Sequence, residues 1–209
     1  MRFNNFPIKK YKSIDKFFLD YSTNLNQVLN KIDLDKIIKA AELIEKKIRT
    51  NNSIFVCGNG GSLAVANHML CDFSKALSDN TKIYPKVFSL VSNHELISAI
   101  SNDISFDEIL TRQARNIITS KDIVILISSS GNSKNLINLI DFCNKKKIST
   151  LAIVGFKGGY LKKYSKNYIH IPINNYGISE DCSQIIMHVI TQYLKQKFLK
   201  FKNINKIIF

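Results

Sequence analysis

Five short apolar segments divide the chain after residue 52, and they constrain its fold more than any other feature. They span residues 53–57, 86–91, 122–128, 149–156 and 168–173. Between and after them lie segments with helical spacing of apolar residues, at 62–76, 94–101, 106–118, 133–146, 158–165 and 180–202. Apolar strands that alternate with helices predict a parallel sheet covered on both faces. The expected fold class is therefore α/β, a three-layer α/β/α sandwich with a central parallel sheet.

The residues before the first apolar segment predict an N-terminal helical hairpin. Residues 14–51 read as two helices, and Asp33 stands where the N-cap of the second is expected. A chain of 209 residues suits one well-buried domain, and no Pro- or Gly-rich linker divides it. We expect a single domain over 1–209, with helices in 1–51 and the α/β core in 52–209.

Composition excludes several classes of protein. The chain is 45% hydrophobic and 22% charged, as in soluble globular proteins. It has no run of about 20 apolar residues that would span a membrane, and no apolar leader resembling a signal peptide. A cytoplasmic protein without a membrane partner is expected. The four cysteines have no CxxC spacing and are predicted to be buried free thiols.

The net charge of +14 leaves two interpretations open. It is compatible with nucleic-acid binding, although the lysines are spread along the chain without the aromatic interleaving of a nucleic-acid module. It also suits the attraction of an anionic substrate such as a phosphorylated metabolite. We favour the second interpretation and expect no nucleic-acid partner.

Two predicted strands end in turns that suit an anion. One turn reads "CGNGGS" and the other "SSSGNS", each between an apolar strand and a helix. Ligands of parallel sheets bind beyond the carboxyl ends of the strands, and a helix N-terminus attracts phosphate. The simpler alternative makes these serines caps and turn residues only. The predicted substrate-binding residues of the two turns are Asn59, Gly60, Gly61, Ser62, Ser128, Ser129, Ser130 and Ser133.

The first turn departs from the nucleotide-binding patterns. It lacks the Gly-Lys-Ser/Thr ending of a P-loop and the full GxGxxG spacing of a dinucleotide site. The remaining interpretation is that a small ligand approaches the backbone of this turn closely, and that Asn59 donates a hydrogen bond to a hydroxyl of the ligand.

Two helices carry a possible metal site. His68 and Asp72 are four residues apart, and Glu180 and His188 lie within about 80° of each other on the final helix. Two imidazoles and two carboxylates form a credible set of four zinc ligands. The alternatives are a surface His–Asp hydrogen bond and a histidine of the core. Gln184, one turn before His188, is a rival ligand.

The segments "CGNGGSLAVANH", "ISSSGNSKN" and "SNDISFDEI" resemble the sugar isomerase (SIS) domain, and within it the phosphoheptose isomerases. The similarity extends over nearly the whole chain. It implies interconversion of sedoheptulose 7-phosphate and D-glycero-D-manno-heptose 7-phosphate by a homotetramer, often with zinc. It also implies that the serines of the turns hold the sugar phosphate, and that the product feeds lipopolysaccharide or capsule heptose synthesis.

The resemblance also suggests individual roles. It makes Asp72 the group that moves a proton between C1 and C2 through an enediol, and His188 its partner in ring opening and proton movement at the sugar oxygens. Asn102 and Asp103 match residues that contact sugar hydroxyls, and Glu180 belongs to the substrate-binding set.

Three positions depart from the family pattern. The family has Glu where this chain has Asp72, and Gln where it has Glu180; an arginine that usually follows the acidic residue is missing, and only Lys75 lies nearby. The open alternatives are a non-catalytic SIS protein that binds sugar phosphates or regulates a partner, and an isomerase of a pentose or hexose phosphate.

Overall fold

The computed structural model describes residues 4–200 and 204–209. Its strands in chain order are β1 (Asn4–Asn5), β2 (Ile54–Gly58), β3 (Val87–Ser89), β4 (Ile123–Ser128), β5 (Ser149–Val154), β6 (Asn167–His170) and β7 (Ile173–Asn174). Its α-helices are α1 (Ile14–Leu29), α2 (Leu34–Arg49), α3 (Gly61–Cys71), α4 (His94–Asp103), α5 (Ile109–Ile117), α6 (Lys134–Lys145), α7 (Gly159–Tyr164) and α8 (Tyr176–Phe198).

The main sheet has five parallel strands in the order β3-β2-β4-β5-β6. All residues of β2 and β4 are buried, which explains why these segments are apolar without alternation. Gly58 at the end of β2 pairs with Ile127 near the end of β4. The turns that follow these two strands therefore lie side by side.

Separate hydrophobic clusters cover the two faces of the sheet. One draws on α1, α2, α3 and α8, and the other on α4, α5, α6 and α7. The predicted three-layer α/β/α architecture is confirmed, and α1 and α2 form the predicted N-terminal helical pair. Asp33 caps α2, because its Oδ1 accepts from the Asp35 N–H at 3.0 Å. The assignment of 1–209 to a single domain stays a prediction.

The final helix and the fifth apolar segment differ from their predicted forms. Helix α8 begins at Tyr176, four residues before the predicted start, because the Asn175 side chain accepts from the Ile178 N–H at 2.8 Å. It ends at Phe198, before the predicted Lys202, since Leu199 turns extended with ψ 135°; 201–202 lie outside the described residues. The predicted strand 168–173 is divided into β6 and β7.

The N-terminal segment packs on its own chain. β1 pairs with β7 in a second, two-stranded sheet, which the sequence did not predict. Phe6 is buried against the rings of Phe17 and Tyr21, with centroids 5.1 and 5.7 Å away. Aromatic packing thus holds this segment beside α1.

All four cysteines are free, as predicted. Cys57, Cys143 and Cys182 are buried, whereas the prediction was wrong for Cys71, which is exposed at the end of α3. Within 4–200 and 204–209, no helix is both long and apolar enough to cross a membrane.

Candidate functional site

The turn between β2 and α3 excludes side chains for two different reasons. A Cβ at Gly58 would lie 2.5 Å from the Ser62 carbonyl oxygen and 3.0 Å from the Ile127 carbonyl oxygen. At Gly60 a Cβ would meet open space, but the positive φ of +55° is a backbone conformation that favours glycine. Close packing therefore determines residue 58, whereas a ligand can approach the backbone at residue 60.

The turn between β4 and α6 has two kinds of serine. The Ser128 hydroxyl accepts from the Gly131 N–H at 3.0 Å, and the Ser130 hydroxyl accepts from the Asn132 N–H at 3.2 Å. These two bonds hold the turn, as the simpler alternative expects.

Ser129 and Ser133 do not follow that pattern. The Ser129 hydroxyl is buried without a hydrogen-bond partner, although such groups are rarely left unpaired. Ser133 stands at the N-cap of α6, yet its side chain makes no capping bond. Both hydroxyls can therefore serve a ligand.

The two turns and the first turns of α8 line one cavity of about 290 Å³. Its lining residues are Asn59, Gly60, Gly61, Ser62, Ser128, Ser129, Ser130, Ser133, Tyr176 and Glu180. All eight predicted residues of the turns are brought together here. Tyr176 was missed, because the final helix was expected to begin after it. A larger groove of about 960 Å³ between α5 and α6 contains none of the predicted site residues.

Asn59 links the first turn to helix α6, which follows the second turn, through a reciprocal amide pair. Its Nδ2 donates to the Asn135 Oδ1 at 2.9 Å, and the Asn135 Nδ2 donates back at 2.9 Å. Asn135 is buried on α6 and was not predicted to matter. One N–H of Asn59 is thus structural, and the other remains for the predicted contact with a ligand hydroxyl.

Glu180 faces the cavity from α8. Its carboxylate lies so close to Gly61 that a Cβ there would collide with it. Burial, and then the charge of Asp181, raise the pKa of the Glu180 carboxyl above its usual value of 4.5. Glu180 therefore holds a proton more readily than an exposed carboxylate would.

A second group of predicted residues lies where α3 packs against α8. The His68 Nε2 is 3.4 Å from the Asp72 Oδ1, and the His188 Nε2 is 3.6 Å from the Asp72 Oδ2. The two imidazole rings meet edge to face with centroids 4.9 Å apart. The structure thus brings together three of the four predicted metal ligands.

These three side chains fit a zinc ion by their spacing. One ligand atom from each lies within 4.8 Å of the others. Ligands at 2.0–2.2 Å in a tetrahedron are separated by roughly 3.4 Å, close to the two nitrogen–oxygen distances above. The predicted fourth ligand, Glu180, lies outside this group.

Gln184, the rival ligand, lies between the histidines. Its Nε2 is 2.9 Å from the His68 Nδ1 and 2.9 Å from the His188 Nε2. The amide therefore belongs to the cluster, whereas the Glu180 carboxylate belongs to the cavity.

A π-helical turn, Asp72–Ala76, follows α3 directly. The Leu77 N–H donates to the Asp72 carbonyl at 2.8 Å, and the buried Phe73 and Leu77 anchor the turn in the core. Such turns occur often at functional sites. The helical pattern of 62–76 did not distinguish this turn from α-helix.

Asn102 and Asp103 lie at the end of α4, outside the cavity lining. The Asn102 Nδ2 donates to the Asp103 Oδ1 at 2.8 Å. Their contact with a sugar stays a prediction.

The model of the SIS domain matches residues 17–155, which include both turns and α3. The chain belongs to the SIS domain family. It is 32% identical over 194 residues to a phosphoheptose isomerase of Buchnera aphidicola, covering 91% of this chain and 98% of that protein. It is 31% identical over 167 residues to a probable phosphoheptose isomerase of Thermoplasma acidophilum, covering 80% and 91%.

The fold of this SIS domain is also similar to that of a phosphoheptose isomerase from Neisseria gonorrhoeae. The two structures align with a TM-score of 0.80 at 23% identity, covering 88% of this chain and 97% of that one. The resemblance to phosphoheptose isomerases expected from the sequence is confirmed by the family match and the relatives.

Proposed function

We propose that this chain is an aldose–ketose isomerase that interconverts sedoheptulose 7-phosphate and D-glycero-D-manno-heptose 7-phosphate. Its relatives at 31% and 32% identity are named as phosphoheptose isomerases. The observation that carries the proposal is the juxtaposition of a hydroxyl-lined cavity with the His68, Asp72 and His188 cluster along the same two helices. The cavity would bind the phosphate, and the cluster would act on the carbon end.

The length of the two helices supports a long sugar. Ser62 and Asp72 are ten residues apart, so they are separated by about 15 Å along the axis of the helical segment. Glu180 and His188 are eight residues apart on α8, or about 12 Å. A sugar anchored by its phosphate at the turns must extend toward the cluster to react there, which favours a long-chain sugar phosphate over a triose phosphate.

Asp72 would carry the proton between carbons. Its carboxylate takes a proton from C1 of the ketose, giving an enediol, and returns it to C2 to form the aldose. The hydroxyl proton of O1 leaves and O2 gains one, and His188 would move these protons. Since each oxygen of Asp72 faces one histidine, its roles as proton carrier and as metal ligand use the same atoms.

We also propose zinc as a cofactor, held by His68, Asp72 and His188. When bound, zinc would supply a Lewis acid that polarises the carbonyl oxygen of the open-chain sugar. The spacing of these three side chains supports this ligand set.

An NMR assay tests the proposed reaction. Purified protein is incubated with sedoheptulose 7-phosphate, ribose 5-phosphate or glucose 6-phosphate, each with and without added zinc. We expect the aldose product from the heptulose alone. Turnover of a pentose or hexose phosphate would reassign the substrate, and no turnover of any sugar, with saturable binding, would identify a non-catalytic protein.

A homotetramer in the cytoplasm, feeding heptose synthesis for lipopolysaccharide or capsule, completes the proposal. Large apolar side chains are exposed on α1, α2 and α8: Ile14, Phe18, Leu34, Val189 and Tyr193. Burial of such residues between copies of the chain would be favourable. Analytical ultracentrifugation tests the tetramer, and a monomer at micromolar concentration would refute it.

A further inference from the structure

The amide of Gln184 lies between the two imidazoles of the cluster, and the proposed reaction gives it no task. It contacts the two rings at different nitrogens, Nδ1 of His68 and Nε2 of His188, each at 2.9 Å. We infer that Gln184 is a positioning residue that fixes the tautomers and the relative orientation of His68 and His188. The consequence for catalysis rests on the proposed isomerase function.

The tautomers follow from the donors of the amide. An amide nitrogen carries two N–H donors and accepts no hydrogen bond. Both ring nitrogens that it contacts must therefore be unprotonated acceptors. In the neutral rings the proton of His68 is then on Nε2, and that of His188 is on Nδ1.

With these tautomers, the two carboxylate oxygens of Asp72 have different neighbours: one lies beside a protonated imidazole nitrogen and the other beside an unprotonated one. The His68 Nε2, which carries the proton in this tautomer, lies 3.4 Å from the Asp72 Oδ1. The His188 Nε2, 3.6 Å from the Asp72 Oδ2, has no proton to donate. In the metal-free protein, one carboxylate oxygen therefore receives no imidazole N–H and can accept a proton from a sugar carbon.

The same residue would support a metal. If the Nε2 atoms of both histidines bind zinc, His68 must carry its proton on Nδ1 and needs an acceptor for it. Metal-bound histidines nearly always have such a partner on the other nitrogen. The Gln184 amide carries an oxygen as well as a nitrogen and can accept that proton.

The first measurement is the histidine tautomer by NMR. Full-length protein with ¹⁵N-labelled histidine is treated with chelator at pH 8, and the signals of His68 and His188 are assigned from alanine variants. We expect His68 protonated at Nε2 and His188 at Nδ1. Gln184→Ala should leave each ring as a mixture of tautomers.

Gln196→Ala, a change at an exposed position of the same helix, should leave both rings as in the wild type. His94 and His170 report whether each variant keeps its fold. The opposite tautomers in the wild type, or unchanged rings in a folded Gln184→Ala protein, would overturn the inference.

The second measurement is zinc affinity, by competition with a chromophoric chelator. Loss of a histidine's hydrogen-bond partner weakens metal binding about 10–100-fold, and we expect this for Gln184→Ala but not for Gln196→Ala. Equal affinities in the two variants would count against the metal-supporting role. Neither measurement uses a sugar, so failure of this inference is distinguishable from failure of the isomerase proposal.

Discussion

The two ends of the candidate site are built in different ways. The proposed phosphate end consists of two turns, in which backbone groups and hydroxyls follow directly from short segments of sequence. The other end, called here the carbon end, is the cluster of His68, Asp72 and His188 where α3 packs against α8. Its Gln184–His68 contact joins residues 116 positions apart. The first end depends on local conformation, whereas the second depends on how two distant helices pack.

In the proposed function, this difference separates substrate binding from proton transfer. The turns can hold an anion without a titrating group in the turns themselves, since N–H groups and hydroxyls donate at any ordinary pH. The cluster brings together an aspartate and two histidines, which are the side chains that move protons. A variant at one end should therefore affect one property and spare the other.

Asp72→Asn should give the largest effect. Removal of the carboxylate leaves no proton carrier, so we expect isomerase turnover to fall by about 10³-fold or more. Binding of sedoheptulose 7-phosphate, measured by calorimetry, should remain detectable because the turns are intact. Asp35→Asn, an exposed change on α2, is the matched control. Retained turnover in Asp72→Asn would remove this residue from the mechanism.

Gly58→Ala should disturb folding more than Gly60→Ala. The new Cβ at residue 58 meets backbone atoms of Ser62 and Ile127, so overpacking should cost about 3 kcal/mol in the free energy of unfolding. At residue 60 only the positive φ is penalised, by about 1–2 kcal/mol. Urea denaturation measures both. Equal losses would show that close packing does not distinguish the two glycines.

Ser129→Ala should weaken binding without weakening the fold. Its hydroxyl has no partner in the protein, whereas a hydrogen bond to a charged phosphate is worth about 1.5–3 kcal/mol. We expect KM for the sugar phosphate to rise by about 10-fold or more and stability to stay unchanged. Ser128→Ala is the contrasting variant, because it removes the bond to the Gly131 N–H and should lower stability by about 1 kcal/mol. An unchanged KM in Ser129→Ala would exclude this hydroxyl from the phosphate site.

Glu180→Gln should give the smallest effect, visible as a pH dependence. Because burial raises the folded-state pKa of Glu180, the folded protein binds the proton more tightly than the unfolded chain does. Wild-type stability therefore falls as pH rises from about 4.5 through the raised pKa, and Glu180→Gln should not show this loss. Urea denaturation at pH 4 and pH 8 should find the variant relatively more stable at pH 8. If the free energies of unfolding of the two proteins differ by the same amount at both pH values, the raised pKa of Glu180 does not cause the pH dependence.

The sequence predicted the two turns that line the cavity, because their signals are local. An apolar strand, a glycine turn and serines before a helix occupy fewer than a dozen residues in each case. The helical starts near Gly61 and Lys134 follow from the same segments. What the turns did not reveal is which serines are already bonded, since this depends on individual hydroxyl directions.

The carbon end was predicted in part. Helical spacing placed His68 with Asp72, and likewise Glu180 with His188, but spacing on two helices cannot say which residues meet. The structure joins Gln184 to the histidines and turns Glu180 toward Gly61. The π-helical turn after α3 was equally invisible, because its apolar pattern resembles that of an α-helix.

By itself, the sequence determined the α/β class, the parallel sheet and the two turns rich in glycine and serine, because hydrophobic period and turn chemistry are properties of neighbouring residues. Only the tertiary structure decided that Asp72 lies between His68 and His188, and that Ser129 is buried without a partner. These facts depend on the packing of α3 against α8 and on the depth of one turn. Both arise from contacts between residues far apart in the chain, which no local pattern encodes.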